Sequence, residues 1–174
     1  MNTFPLRLVA AIALGAAMVA TDASAQTCAA PLALVANTST LLDTCQGDGT
    51  LVAVCSMFPL TGPAAVVRLP LPYPTGSVSV QSLTAGYDPA LFLLRSHCDS
   101  SATCGTAVDS GVVTDTMDLS GVDSGDYFLA VAPIDSASLS CGQVMVTYGM
   151  TAEQQALALD GVFRGGIGAP PNNP

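Results

Sequence analysis

Short apolar runs broken by Gly, Pro, Asp and Ser recur along most of this chain, and that rhythm limits the fold more than any other feature. Runs stand at 32–36, 51–54, 64–69, 91–94 and 127–132. Each is too short for an ordinary buried helix and suits a strand. Residues 78–81 and 144–148 alternate apolar with polar, the period of a strand with one wet face. In 64–69, Val67 and Leu69 share one face, while Val66 and Arg68 share the other. Residues 91–94 are apolar on both faces, which predicts a central strand. Val112-Val113 and 117–119 add two weaker candidates. Eight or nine strands predict an all-β fold, an antiparallel two-sheet β-sandwich over 26–150. One segment departs from this. Thr151 and Gln154 form a T-x-x-Q capping box that predicts a short helix over 151–163, with Gly161 to stop it. The Gly-, Pro- and Asn-rich stretch 164–174 has the composition of a disordered end.

Residues 1–25 read as a secretory signal peptide: Arg7, an apolar run over 8–20, then Ala23-Ser24-Ala25 at the cleavage positions. The run is shorter than the about 20 residues that span a bilayer, and no longer one follows. Cys28 follows Ala25-Gln26-Thr27, which is no lipobox. The expectation is an exported protein, periplasmic or secreted, with no membrane insertion of the mature chain.

Export gives the six cysteines their meaning: an even set in an oxidising compartment predicts three disulfides. No C-x-x-C pair is present and the single histidine, His97, lacks a histidine partner, so a zinc site is not indicated. Cys98 and Cys104 bracket a polar loop and are expected to close on each other. Cys45 and Cys55 flank the Gly47-Asp48-Gly49 turn and are placed to clip a hairpin. That leaves Cys28 with Cys141, a long closure that stabilises by about 4.8 kcal/mol on chain entropy, against about 2.4 kcal/mol for the short loop. Exchanges among Cys28, Cys45, Cys55 and Cys141 stay open.

Charge excludes two classes of partner. Lys plus Arg number 4, with no lysine, against 13 Asp plus Glu, for a net charge of -9. Such a chain cannot collect phosphate contacts, which excludes nucleic acid, nor is it drawn to an anionic membrane surface.

Four stretches together resemble a known family. They are 61–71 (TGPAAVVRLPL), 87–94 (YDPALFLL), 124–131 (SGDYFLAV) and 141–147 (CGQVMVT), with the Cys98–Cys104 segment between the second and third. In this order they resemble the bacterial pre-peptidase C-terminal domain, here as a stand-alone secreted module. The resemblance implies a jelly-roll-like β-sandwich and an accessory role beside secreted enzymes. Where the family often carries an acidic turn after its second loop cysteine, this chain has Gly105-Thr106-Ala107-Val108 before Asp109.

The chemical constellations follow from the same residues. His97 is the single imidazole base for a serine hydrolase, no G-x-S-x-G elbow accompanies it, and Asp123-Ser124-Gly125 reads as a turn before a strand. Asp109, Asp115, Asp118, Asp123, Asp126 and Asp135 form one acidic stretch, of which Asp109 and Asp115 are the candidate calcium ligands. No EF-hand spacing is present, and the ordinary reading is solvated turn carboxylates that respond to salt but not to calcium as such. Asp88, before Pro89, is expected to fix a strand entry. Tyr73, between Pro72 and Pro74, is the one aromatic expected to be exposed for a ligand, with packing over a strand end as its ordinary role. No other cofactor is expected. The leading function is a non-enzymatic extracytoplasmic binding or accessory module, its partner an unknown protein or carbohydrate. The alternatives are a structural, surface-associated assembly protein and a hydrolase with an unrecognised site.

Overall fold

The computed structural model of the protein describes residues 26–71, 75–111 and 113–157. The leader, Tyr73, the second half of the expected helix and the C-terminal stretch lie outside the described residues. Twelve strands follow one another: β1 (Gln26–Thr27), β2 (Ala30–Ala33), β3 (Thr38–Asp43), β4 (Ala53–Val54), β5 (Phe58–Pro59), β6 (Ala65–Leu71), β7 (Ser77–Ser82), β8 (Ala90–Arg95), β9 (Thr103–Val108), β10 (Thr114–Asp118), β11 (Gly125–Ala132) and β12 (Gln143–Gly149). The expectation was eight or nine. The surplus comes from the two-residue strands β1 and β5 and from β3 and β9, whose polar-rich sequences carry little apolar signal.

A six-stranded sheet runs β1-β2-β6-β11-β8-β9 and a four-stranded sheet runs β10-β7-β12-β3, with β4 and β5 a separate hairpin. The pairings are antiparallel except one: β2 runs parallel to β6, Leu32 opposite Val67, so the sheet is mixed where a wholly antiparallel one was expected. The core lies between the two larger sheets and is built by alternation. Val67, Leu69 and Leu71 of β6, Leu91 and Leu93 of β8, and Tyr127, Leu129 and Val131 of β11 face Val78 and Val80 of β7, Met117 of β10, and Val144, Val146 and Tyr148 of β12. Burying each of these large side chains stabilises by roughly 1.5–3 kcal/mol.

The opposite face of β6, β8 and β11 is buried as well. Val66, Phe92, Leu94, Ala130 and Ala132 form a second apolar layer under residues 51–60, where Leu51, Val54 and Phe58 cover them. Phe58 lies against Phe92 with ring centroids 5.6 Å apart. This cover explains why 91–94 is apolar on both faces, and β8 is interior as its sequence predicts.

Three disulfides form, and their pairing corrects all three expected bonds: Cys28–Cys98, Cys45–Cys141 and Cys55–Cys104. The Cys45–Cys141 bond is an exchange that the sequence left open. Its cause is register, because β3 pairs β12 with Asp43 opposite Gln143, and two residues further on the same register sets Cys45 opposite Cys141. Cys104 is not a loop end but a residue of β9, opposite Leu94, and so reaches the cover layer where Cys55 sits. Cys98 packs in that layer too and meets Cys28 beside β1. The bonds thus hold the peripheral segments onto the sandwich. The expected capping box is present: Thr151 N–H donates to Gln154 Oε1 at 2.8 Å, and Gln154 N–H donates to Thr151 Oγ1 at 3.2 Å. Residues 152–157 are helical.

Candidate functional site

Where the carboxylates go identifies the site. Five aspartates make turns: Asp48, Asp99, Asp109, Asp118 and Asp135 each accept the N–H two residues on, from Thr50, Ser101, Gly111, Ser120 and Ala137, at 2.8–3.2 Å. The Thr50 hydroxyl holds the Asp48 carboxyl below the usual carboxylate range, and the Ser101 hydroxyl does so for Asp99. For Asp118 the Ser120 N–H is the main cause. Asp43 caps a short 3-10 turn by accepting from Cys45 N–H. Two more are ion-paired on the surface: Asp126 with Arg68 at 3.1 Å and Asp123 with Arg95 at 3.0 Å. The acidic stretch therefore does have cations beside it, at these two positions.

Asp88 and Asp115 fit neither group. Asp115 lies on β10 on the same face as Met117, turned inward, and is 1% exposed. This corrects the expectation that the whole stretch is solvated. Its Oδ1 accepts from the Ser110 N–H at 3.0 Å and from the Ser110 hydroxyl, while its Oδ2 is buried with no hydrogen-bond partner. Asp88 sits at the entry to β8, as expected, and its N–H donates to Ser138 Oγ at 2.8 Å. Its Oδ1 is likewise buried and unpartnered. Burial pushes the Asp88 carboxyl above its usual range, and the negative charges of Asp109, Asp115 and Asp135 push it further.

Asp88 and Asp135 line a hollow of about 290 Å³, together with Gly86, Gly111, Val113 and Ser138 among others. Three loops build it. Ser82 N–H donates to Val113 O and Leu139 N–H to Gly86 O, both at 2.9 Å, which ties 83–89 to its two neighbours. Gly86 and Gly111 turn the chain with positive φ of 78° and 66°. Tyr87 lies beneath, with its hydroxyl buried and pushed up to about 12 by burial. Around the hollow stand exposed apolar side chains: Leu83 at 50%, Val113 at 62% and Leu139 at 49%.

A second hollow of about 470 Å³ lies at the other end of β7 and β12, beside Asn37, Gly76, Asp118 and Gln154. Its polar groups are engaged: Asn37 Oδ1 accepts from Met150 N–H at 2.8 Å, and Gln154 completes the capping box.

Of the residues singled out from the sequence, Asp109 and Asp115 are linked through Ser110, whose N–H donates to Asp115 Oδ1 at 3.0 Å, and the negative charges of both, with that of Asp135, act on Asp88. Tyr73 lies outside the described residues. His97 is exposed, and its N–H donates to Arg95 O at 2.8 Å. Strand parity would have revealed Asp115, because it alternates into the face of Met117 and Leu119. Nothing local signals that its charge acts on Asp88. No family model matches the chain, and no match emerged among curated proteins.

Proposed function

We propose that the protein is a non-enzymatic binding or accessory module that acts outside the cytoplasm and takes its partner at the loop end formed by 83–89, 109–113 and 135–139. The observation that carries this reading is the hollow itself: Asp88, a carboxylate that neither makes a turn nor pairs with arginine, beside exposed Leu83, Val113 and Leu139. Apolar residues exposed around a polar hollow suit a protein partner, whose surface can cover both. Three disulfides support an oxidising compartment. The four stretches that resemble the pre-peptidase C-terminal domain lie on β6, β8, β11 and β12, so the likeness sits in the strands that form the sandwich, and it supports an accessory role in a jelly-roll-like module.

The test is capture. The oxidised mature protein and a Val113→Glu/Leu139→Glu variant are immobilised and exposed to the exported proteins of the source cell. A discrete protein retained by the first and lost by the second is expected. Equal retention by both, or none by either, defeats the reading, as does hydrolytic turnover that co-purifies with the protein.

A further inference from the structure

We propose that the protein cuts its own chain between Asp88 and Pro89, beside this hollow, and stays joined across the cut by its disulfides. The inference goes beyond the reading above, because it needs no partner and is a single intramolecular event rather than turnover. Asp88-Pro89 is the one aspartate–proline bond in the chain. The chemistry is particular to that pair. An aspartic side chain reaches its own main-chain carbonyl carbon through a five-membered ring. The nitrogen that must leave belongs to a tertiary amide, more easily protonated than an ordinary one, and it has no N–H bond to lose. In the step, the neutral carboxyl oxygen adds to the Asp88 carbonyl carbon, its proton passes to the Pro89 nitrogen, and the C–N bond breaks. A cyclic anhydride is left on Asp88 and a free amine on Pro89. Water then opens the anhydride, so the balance is one water consumed and one peptide bond hydrolysed. The hollow that Asp88 lines admits that water.

The fold prepares Asp88 for this step. The turn aspartates give an oxygen to the N–H two residues on, as Asp109 does to Gly111 and Asp135 to Ala137. At Asp88 that residue is Ala90, which is paired with Ala132 in the sheet. Asp88 Oδ1 is buried with no donor, so no hydrogen bond holds it in its charged form or away from its own carbonyl. The charged groups that act on it from the neighbouring loops are Asp109, Asp115 and Asp135, all acidic, and Tyr87 beside it is neutral. Arg68 and Arg95 are engaged at Asp126 and Asp123. The carboxyl therefore keeps its proton to a higher pH than a free aspartic acid does. Its main chain is fixed by the Asp88 N–H on Ser138 Oγ at 2.8 Å and by the extended conformation that a following proline imposes. The rest of the molecule suits a cut at this place. Cys28, Cys45 and Cys55 precede the bond, Cys98, Cys104 and Cys141 follow it, and every disulfide joins one of each group. The sheets also pair across it, β6 with β11 and both β3 and β7 with β12. The two pieces remain one folded body, in which the 83–88 loop is freed from β8.

The test uses the oxidised mature protein, purified and alone, held at about pH 5 and at about pH 7.5 and followed by intact mass and reducing gels. At the lower pH the mass is expected to rise by that of one water with neither piece lost, and reduction should release a piece that begins at Pro89. The higher pH, where the carboxyl loses its proton, should slow the cut. Its rate should be independent of protein concentration. It should exceed that of the reduced, urea-unfolded chain at the same pH by at least about tenfold, because the fold holds acid and bond together. Asp88→Asn, which has no acid proton to give, and Asp88→Glu, whose ring is one atom larger, should both stay intact. If Asp88→Asn does not fold, Asp88→Glu decides. A parent that stays intact at the lower pH, a rate that scales with concentration, an equal rate in the unfolded chain, or a cut retained in Asp88→Glu overturns the proposal. Each of these leaves the capture result standing, and a protein that cuts itself but captures nothing sinks the binding-face reading alone.

Discussion

Thr44 is fully buried in the short 3-10 turn that follows β3, and one main-chain group of Gly142 satisfies each side of its hydroxyl. Its Oγ1 donates to Gly142 O and accepts from Gly142 N–H, both at 2.9 Å. Thr44→Val keeps the shape and removes both bonds, leaving a buried N–H without an acceptor. The expected loss is about 1–3 kcal/mol by urea unfolding, with Thr44→Ser recovering most of it. Asp48 works at the same scale. Besides making its own turn, it accepts from Cys28 N–H at 3.1 Å, which anchors β1. Its folded pKa is depressed, so its contribution is present above the ordinary carboxylate range and is lost as pH falls through the depressed value. Asp48→Asn should therefore be less stable than the parent at neutral pH, and the two should converge in acid. Unfolding curves from pH 7 to pH 2 that stay parallel would contradict this role.

Among the elements, the β4–β5 hairpin and its flanks depend on attachment. Two-residue strands have almost no pairing energy of their own, and they persist because Phe58, Val54 and Leu51 cover the outer face of the six-stranded sheet. Cys55–Cys104 fastens that cover across 49 residues of chain. Cys28–Cys98 spans 70 residues and Cys45–Cys141 spans 96, so by chain entropy the three bonds stabilise by similar amounts, roughly 4–5 kcal/mol each at most. Had Cys98 bonded Cys104, one bond would have mattered far less. Replacing each bonded pair by serine should lower the unfolding midpoint by comparable amounts. Peptide mapping without reduction should recover the Cys45–Cys141 link, and a Cys98–Cys104 peptide would refute the arrangement.

For the whole molecule, the net charge of -9 sets the response to salt. Two exposed ion pairs, Arg68–Asp126 and Arg95–Asp123, contribute less than about 1 kcal/mol each and weaken on screening. The uncompensated aspartates repel one another, and screening relieves them. The balance favours relief, so NaCl raised from 20 to about 300 mM should increase the melting temperature by a few degrees. A decrease would mean that the two pairs outweigh the repulsion. The same arithmetic separates the two ends of the sandwich. Around Asn37 the polar groups satisfy one another, while around Asp88 and Asp115 they do not.

Local pattern was enough for much of this protein. Apolar alternation marks β7 and β12, because a strand with one buried face must repeat every two residues, and short apolar runs mark β6, β8 and β11. The T-x-x-Q box at Thr151 is also local, since both of its bonds lie within four residues. An even number of cysteines behind an export-like leader was enough for three bonds, though not for their partners. What escaped was non-local. β3, Thr38–Asp43, buries one large side chain, Leu42, and apart from exposed Leu41 is otherwise polar, at the edge of its sheet. With β3 unseen, the register that sets Cys45 opposite Cys141 was unseen too. β9 was missed because its apolar content is low, and its first two residues, Thr103 and Cys104, fell in the expected 98–104 disulfide loop, yet pairing with β8 makes it a strand. The second apolar layer follows from residues 51–60 folding back over the sheet, which no periodicity within that segment encodes. The charge of Asp115 acts on Asp88 only because the fold brings residues far apart in sequence to one end of the sandwich. Sequence determines which faces are apolar, and the packing of distant strands decides which carboxylates are left there without a partner.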